Sequence, residues 1–288
     1  MRAVTLVTAA YGRSLASSGS AVDYVATVTD AMKHLDPQKH VGLLAVLSAI
    51  RCHARWLAGD LPGAMADNDF ALAHADKVEE VDQQTLGFAV AIWIKGLRSK
   101  VLAMMGRFDE ARALAEELIS GDEAVVDTLH RLLGHGTMVD IAWGRGEAAL
   151  AEKHGAIAQA IADKSGNPYL LVYGRAFNAL ALAMNGRHSE ATTLLSDTLR
   201  FARQRNAGLE NEARMLADLA WVQMQAGLPD RAEATAEEAA QAARRRGAKI
   251  WLAYAEGITG GPESAVFKRL IDETGARLLA GLRIKPSA

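Results

Sequence analysis

Residue types used by metal sites and by nucleophilic catalysis are present in this chain, but their spacing does not assemble either kind of site. His130 and His135 are five residues apart, and His34 and His40 are six apart. Two helical histidines share a face when their positions differ by three or four. No cysteine or carboxylate completes either pair, so we expect core or solvated histidines and no metal site.

The single cysteine, Cys52, precedes His53. Adjacent helical residues point about 100° apart, so the thiol and the imidazole do not form a nucleophile–base pair by themselves. One cysteine cannot form an internal disulfide, and nothing indicates an oxidising compartment. We therefore predict a buried structural cysteine and a protein that is not an enzyme and needs no cofactor.

The charge balance argues against two classes of partner. Lysine plus arginine is 32 and aspartate plus glutamate is 34, for a net charge of −2. Nucleic-acid-binding proteins are usually more basic, which makes a nucleic-acid partner unlikely. The uncharged stretch from Gln83 to Ile94 is shorter than the roughly 18 residues that a membrane span needs. The sequence thus predicts a soluble, cytoplasmic protein without a membrane partner.

Glycines recur along the chain at spacings of 33 to 47 residues, at Gly19, Gly59, Gly106, Gly144, Gly186, Gly227 and Gly260. After every one except the first, an alanine follows five residues later, at Ala64, Ala111, Ala149, Ala191, Ala232 and Ala265. Glycine ends a helix in a left-handed conformation without steric cost, and alanine lets the next helix approach closely. This period indicates a helical-hairpin repeat.

Between these glycines the apolar residues follow a helical period, and no stretch shows the alternation of a strand. The pattern predicts fourteen helices in seven hairpins, at residues 3–17, 20–35, 39–58, 62–76, 82–105, 108–119, 122–143, 146–165, 168–185, 188–205, 208–226, 229–246, 248–257 and 262–281. A single hairpin cannot bury its apolar face alone, so neighbours must stack. No linker interrupts the array, and we predict one domain over residues 1–288.

The segment Gly106-Arg-Phe-Asp-Glu-Ala111 resembles the inter-helix turn of a tetratricopeptide repeat (TPR). The resemblance implies an all-α fold, a right-handed superhelical array of about seven antiparallel helical hairpins. The repeat is nearer 40 residues than the 34 of a standard TPR. In this respect, and in the segments from Ala239 to Trp251 and from Leu270 to Arg277, the chain is similar to the C-terminal repeat region of bacterial LuxR-type regulators of the maltose-activator kind and of ATPase-containing class III adenylate cyclases. This similarity implies a role in signalling or transcription regulation, and it leaves open whether the chain is a region of a longer protein.

If the TPR frame holds, the first helix of each hairpin lines the inner, concave surface. Six residues before the repeat glycines stand Arg13, His53, Lys100, Met138, Leu180, Trp221 and Tyr254, and thirteen before them stand Leu6, Val46, Trp93, Arg131, Tyr173, Arg214 and Gly247. This set combines cations with aromatic residues and contains no acidic residue. Aromatic residues and arginine are frequent anchors of binding surfaces, although an aromatic residue at helical spacing also suits the core between repeats.

From this set we predict a partner-binding site at Arg13, His53, Trp93, Lys100, Arg131, Tyr173, Arg214, Trp221 and Tyr254. The leading hypothesis is a non-catalytic scaffold that binds a protein or peptide, including an acidic one, on its concave face. The alternative is a sensor domain that binds a small-molecule effector in a pocket inside the superhelix. A deep pocket with convergent polar groups would favour the alternative over an open groove.

Overall fold

The computed structural model describes residues 2–86, 89–122 and 126–282, without the side chains of Ala3, Val4, Leu6, Ala9, Ala10, Arg13, Ser17 and Ser18. In this part of the chain there are fifteen α-helices and no strand: α1 (Arg2–Ser18), α2 (Ala21–Lys33), α3 (Val41–Ala58), α4 (Leu61–Ala73), α5 (Glu80–Leu86), α6 (Val90–Met104), α7 (Phe108–Ser120), α8 (Thr128–Arg145), α9 (Ala148–Ser165), α10 (Pro168–Met184), α11 (His188–Arg205), α12 (Glu212–Gln225), α13 (Pro229–Arg246), α14 (Lys249–Gly260) and α15 (Ala265–Thr274). The predicted fold is confirmed: a right-handed array of antiparallel helical hairpins.

The inner layer of the array consists of the first helices of the seven hairpins, α1, α3, α6, α8, α10, α12 and α14, each packed on the next. The second helices form the outer layer. Their buried face is mostly alanine, as in α13, where every buried residue is an alanine. Small side chains let the two layers lie close together, which turns the apolar pattern of each hairpin into one contiguous core from Ala21 to Leu282.

Three helices have bounds that differ from the predicted ones, because local capping groups decide where each helix begins or ends. The predicted helix 82–105 is two helices, and the side chain of Gln83 accepts a hydrogen bond of 3.2 Å from the backbone N–H of Val90, at the start of α6. The predicted helix 122–143 begins only at Thr128, where Asp127 caps it. The last predicted helix, 262–281, stops before Gly275, whose φ of 72° is left-handed.

The repeat register is wrong by two residues in the fourth hairpin and by one in the seventh, where Gly261 rather than Gly260 has a positive φ, of 80°, and the predicted Ala265 is exposed. Gly144 lies inside α8, and Gly146 takes the left-handed conformation at the turn, with φ 76°. The alanine five residues after Gly146, Ala151, is buried, whereas the predicted Ala149 is exposed. Gly144 instead allows a close approach, since a β-carbon there would lie 2.5 Å from the ring of Phe108.

The array closes on itself, so its concave side is an interior rather than an open groove. The backbone of Gly59, at the second hairpin turn, lies against Lys249 and Thr274, and that of Gly106 lies against Arg277. The 3₁₀ turn Arg277–Gly281 packs on α6 and α8, and α14 packs on α3. The last repeats therefore cover one edge of the second to fourth repeats.

Within the described residues one helix, α3, is long and apolar enough to cross a membrane by length and composition alone. In this structure 61% of that segment is buried inside the protein. The central helix of a repeat array meets the same criterion, so the observation is weak evidence for a membrane span.

Gly174 allows the closest approach of α9 and α10. A β-carbon at this position would lie 2.7 Å from the carbonyl oxygen of Ala158. We expect Gly174→Ala to lower the free energy of unfolding, because overpacking costs about 1–3 kcal/mol and the backbone oxygen cannot rotate away. The better helix propensity of alanine, worth roughly 1 kcal/mol, offsets only part of this. Urea unfolding measures the change, and Ser196→Ala, at an exposed position of α11, is the control that should stay within about 0.5 kcal/mol of the native chain. Equal stability of Gly174→Ala and the native chain would contradict the close approach.

Candidate functional site

The inner surface of the first five hairpins encloses a cavity of about 740 Å³. This lies within the range of roughly 300–1,000 Å³ typical of small-ligand sites. Its wall is mostly apolar and aromatic, and it is lined by Ala16, Tyr24, Ile50, His53, Trp56, Leu86, Trp93, Gly96, Leu97, Lys100, Asp127, Thr128, Leu129, His130, Leu133, Tyr169, Tyr173, Asn206, Ala207, Gly208 and Glu210. Four of the predicted site residues, His53, Trp93, Lys100 and Tyr173, belong to this wall.

One side of the cavity is an aromatic cage around His53. The imidazole lies 5.9 Å from the ring of Tyr24, 5.7 Å from that of Trp56 and 6.4 Å from that of Trp93, centroid to centroid. Desolvation by these rings lowers the pKa of His53 to about 4. The residue is therefore a neutral aromatic element of the wall at neutral pH and not one of the predicted cations.

Another part of the cavity wall carries a short chain of hydroxyl groups that ends on a carboxyl group. The hydroxyl of Tyr169 donates to that of Tyr173 over 3.1 Å, and Tyr173 donates to Oε1 of Glu210 over 2.9 Å. Glu210 lies in the 3₁₀ turn Leu209–Asn211, before α12, and is only 5% exposed. Burial raises the pKa of its carboxyl group.

The N-terminus of α8 contributes a second carboxylate to the wall. Asp127 caps the helix by accepting from the backbone N–H of His130, and its Oδ2 lies 2.8 Å from Nδ1 of the same histidine. A carboxylate only accepts hydrogen bonds, so Nδ1 of His130 carries a proton. In the neutral imidazole, Nε2 is then left as an acceptor.

Three cavity-wall residues have a buried polar atom with no hydrogen-bond partner in the described structure. These atoms are Nε1 of Trp56, Nε2 of His130 and Oε2 of Glu210. Such atoms are rare in native proteins, because each one costs about 1–3 kcal/mol. These atoms have almost no accessible surface, so a ligand in the cavity would pair with one of them only after its side chain turned toward the cavity.

Behind the cavity lies a network of four buried charges on three inner helices. Lys100 of α6 donates to Oδ2 of Asp140 over 2.7 Å, and Arg214 of α12 donates to Oδ1 of the same carboxylate. Arg214 also reaches Asp218 at 3.4 Å. The ring of Phe177 lies 4.3 Å from Nζ of Lys100. The four charges balance, so neither cation is available to neutralise a partner.

Burial shifts the titration of this network. Desolvation lowers the pKa of Lys100 to about 8 despite the nearby Asp140 carboxylate. Desolvation likewise raises the pKa of Asp218 to about 6, against the opposing attraction of Arg214. Asp140 keeps a lowered pKa because Arg214 and Lys100 together outweigh its burial. The network is thus held together by a carboxylate that both cations share.

The other predicted site residues have different surroundings. Trp221 and Tyr254 pack with Trp143, at ring distances of 6.0 Å for Trp143–Trp221 and 5.6 Å for Trp143–Tyr254, and they belong to the core between repeats. Arg131 donates to the backbone oxygens of Ile119 and Gly121, at 2.9 Å each, and so caps the end of α7. The side chain of Arg13 lies outside the described side chains.

The prediction that the inner positions include no acidic residue is wrong, and the shifted register of the fourth hairpin explains the error. Counted from Gly146, the residue six positions earlier is Asp140 rather than Met138, and the residue thirteen positions earlier is Leu133 rather than Arg131. Both Gly144 and Gly146 have an alanine five residues later, so the sequence pattern alone does not choose between them. Glu210 was not predicted because it lies in a turn before a helix, at neither of the two offsets, six and thirteen residues before a repeat glycine, that were used to choose the inner positions.

No protein-family model matches this chain, and no curated protein matches it by sequence. The similarity to LuxR-type regulators and adenylate cyclases therefore stays a prediction. Among solved structures, the chain is similar to a Rap protein in complex with competence and sporulation factor, at TM-score 0.67 and 12% identity, over 89% of this chain and 70% of that one. It also matches aspartyl phosphate phosphatase F from Bacillus subtilis, at TM-score 0.49 and 13% identity, over 85% of this chain and 64% of that one. At this identity the first likeness establishes the helical-repeat fold alone.

Proposed function

We propose that this protein is a non-catalytic regulatory binding module that holds a ligand of small-molecule or short-peptide size inside its superhelix. The observation that carries this proposal is the cavity of about 740 Å³ with three unpaired polar atoms in its wall. A folded protein domain is too large for this space. The predicted protein or peptide partner is therefore retained here in the form of a short peptide, beside a small-molecule effector.

The chemistry of the wall supports binding rather than catalysis. The thiol of Cys52 is buried, and burial raises its pKa to about 12, which makes it a poor nucleophile. Within the described residues no group of three metal-ligating side chains is found. The neutral His53 has aromatic neighbours and no carboxylate to orient it as a base.

The charges of the wall give the predicted acidic preference no support. That preference depended on Arg13, Lys100, Arg131 and Arg214. The side chain of Arg13 lies outside the described side chains, and the other three donate their hydrogen bonds within the protein. The carboxylates Asp127 and Glu210 are the acidic groups that face the cavity.

A cavity-filling variant tests the proposal. We expect a panel of small molecules and short synthetic peptides to contain ligands that raise the thermal midpoint of the native chain by several degrees. A ligand at 100 times its Kd stabilises the folded state by about 2.7 kcal/mol. In Leu133→Trp the added indole occupies the cavity, and these shifts should disappear.

Leu194→Trp is the matched control, because Leu194 is equally half-buried but lies on the outer helix α11, away from the cavity. This variant should keep every ligand. Quenching of tryptophan fluorescence gives a second readout, since Trp56 and Trp93 line the cavity. If no compound stabilises the native chain, or if the hits stabilise Leu133→Trp equally well, the cavity is not the binding site.

A further inference from the structure

Glu210 is the cavity-wall residue whose hydrogen bonding is least complete for its charge. Hydrogen bonding from Tyr173, Tyr169 and the backbone of Glu210 itself acts on its carboxyl group, with Tyr173 donating to Oε1, whereas Oε2 is buried without a hydrogen-bond partner. Among the described residues no ion pair includes Glu210. An unpaired charged group costs more than an unpaired neutral one, so the missing partner of Oε2 is expected to be a strong hydrogen-bond donor.

Two described cations lie near Glu210, and neither forms an ion pair with it. Lys100 lines the same cavity, but Asp140 holds its ammonium group. Arg246 faces Glu210 across a separate small pocket formed with Ala16 and Leu57. Arg246 is the weakest of the influences on the pKa of Glu210, and its attraction does not overcome the effect of burial.

The aromatic side of the cavity completes the chemical description. Tyr24, Trp56 and Trp93 surround His53 within 6.4 Å. Aromatic faces attract both apolar groups and cations, and the attraction to a cation reaches about 2 kcal/mol when it is desolvated. Tyr24 and Trp93 therefore suit a ligand with a flat apolar body next to a positive charge.

We propose that the cavity is specific for a ligand with a protonated amine attached to an apolar or aromatic body, and that the amine pairs with the carboxyl group of Glu210. This inference depends on the proposed function and narrows it to one class of ligand. Burial raises the pKa of Glu210, and an ammonium group in contact would favour its charged form. The acidic partner predicted from the sequence is replaced by a cationic one.

Three probes with the same ring and different charge test this inference: 2-phenylethylamine, 2-phenylethanol and phenylacetate. Isothermal titration calorimetry with the native chain should give an affinity for the amine about tenfold or more above that for the alcohol, since a charge-assisted hydrogen bond is worth about 1.5–3 kcal/mol. Phenylacetate should bind most weakly. Glu210→Gln should lose about tenfold for the amine and change less than about twofold for the alcohol.

Two variants separate this role from a structural one. Glu212→Gln removes a neighbouring carboxylate that pairs with Arg203 and does not line the cavity, and it should leave the affinity order unchanged. Glu210→Asp keeps the charge and should keep the preference for the amine. An equal loss of amine and alcohol binding in Glu210→Gln would assign Glu210 a structural role and overturn the inference.

The measurements distinguish a failure of the amine preference from a failure of the proposed function. If ligands bind in the cavity but amines have no advantage over their neutral analogues, the inference is wrong and the proposed function stands. If neither these probes nor the broader panel binds in the cavity, the proposed function is wrong, and the inference fails with it.

Discussion

Asp140→Asn is expected to lower the free energy of unfolding by about 3–5 kcal/mol, the usual cost of removing one partner from a buried ion pair. The side chain of Asp140 is 1% exposed and accepts from both Lys100 and Arg214. Asparagine has nearly the same shape but leaves these two cations without their shared counter-charge. Urea unfolding at pH 7 measures the effect.

An exposed ion pair provides the control for this prediction. Asp109 pairs with Arg145, and its side chain is 89% exposed. Asp109→Asn should cost less than about 1 kcal/mol, because solvent screens such pairs. Lys100→Met combined with Asp140→Asn should cost less than the two single variants added together, because it removes one of the stranded cations. If Asp140→Asn is as mild as Asp109→Asn, the charge network does not hold the inner helices together.

The second large effect expected is a loss of stability in acid. His135 of α8 and His154 of α9 are both buried, with their Nδ1 atoms 2.9 Å apart. One nitrogen must accept in this contact, so the pair cannot carry two protons there. Desolvation lowers the pKa of each histidine from 6.5 to about 4, and repulsion from His154 and Arg131 adds to the effect at His135.

The direction of the pH effect follows from these lowered pKa values. Below pH 6.5 the two imidazoles bind protons in the unfolded chain, whereas in the folded chain they stay neutral down to about pH 4. The contribution of this pair to stability is therefore fully present above pH 6.5 and is lost as the pH is lowered toward 4, while Asp218, with its raised pKa, opposes part of this loss. One pKa unit corresponds to about 1.4 kcal/mol, so the pair accounts for a decrease on the order of 5 kcal/mol.

Urea unfolding at intervals between pH 7 and pH 4.5 checks this prediction. His135→Gln should reduce the slope of stability against pH, because it removes one of three buried imidazoles with a lowered pKa, the others being His154 and His53. His34→Gln, at an exposed position, should leave the slope unchanged. If His135→Gln has the same slope as the native chain, the imidazole of His135 does not stay neutral in the folded state.

The helical hairpins could be predicted because their determinants are local. Gly59, Gly106, Gly186 and Gly227 each adopt the predicted left-handed turn, and the alanine five residues after each of them is buried. Helix bounds were accurate where the caps were simple, as for residues 188–205 and 229–246. They were wrong where a side chain such as Gln83 or Asp127 ended or started a helix.

The candidate site could be predicted only in part. The frame placed His53, Trp93, Lys100 and Tyr173 on the inner surface, where they line the cavity. It gave no information on the partners of each side chain. For that reason it assigned Lys100 and Arg214 as free cations, although Asp140 neutralises both.

The sequence by itself determined the repeat, the all-α class and the inner and outer helices, because helix period and glycine turns depend on residues a few positions apart. Only the tertiary structure decided the cavity and its charge. Asp140 and Arg214 are 74 residues apart in sequence, and Glu210 meets Tyr173 across 37 residues. Such contacts depend on the small rotation of each repeat relative to the next, which accumulates along the array until its last repeats meet the earlier ones. That rotation follows from the packing of many side chains together and cannot be counted from spacing.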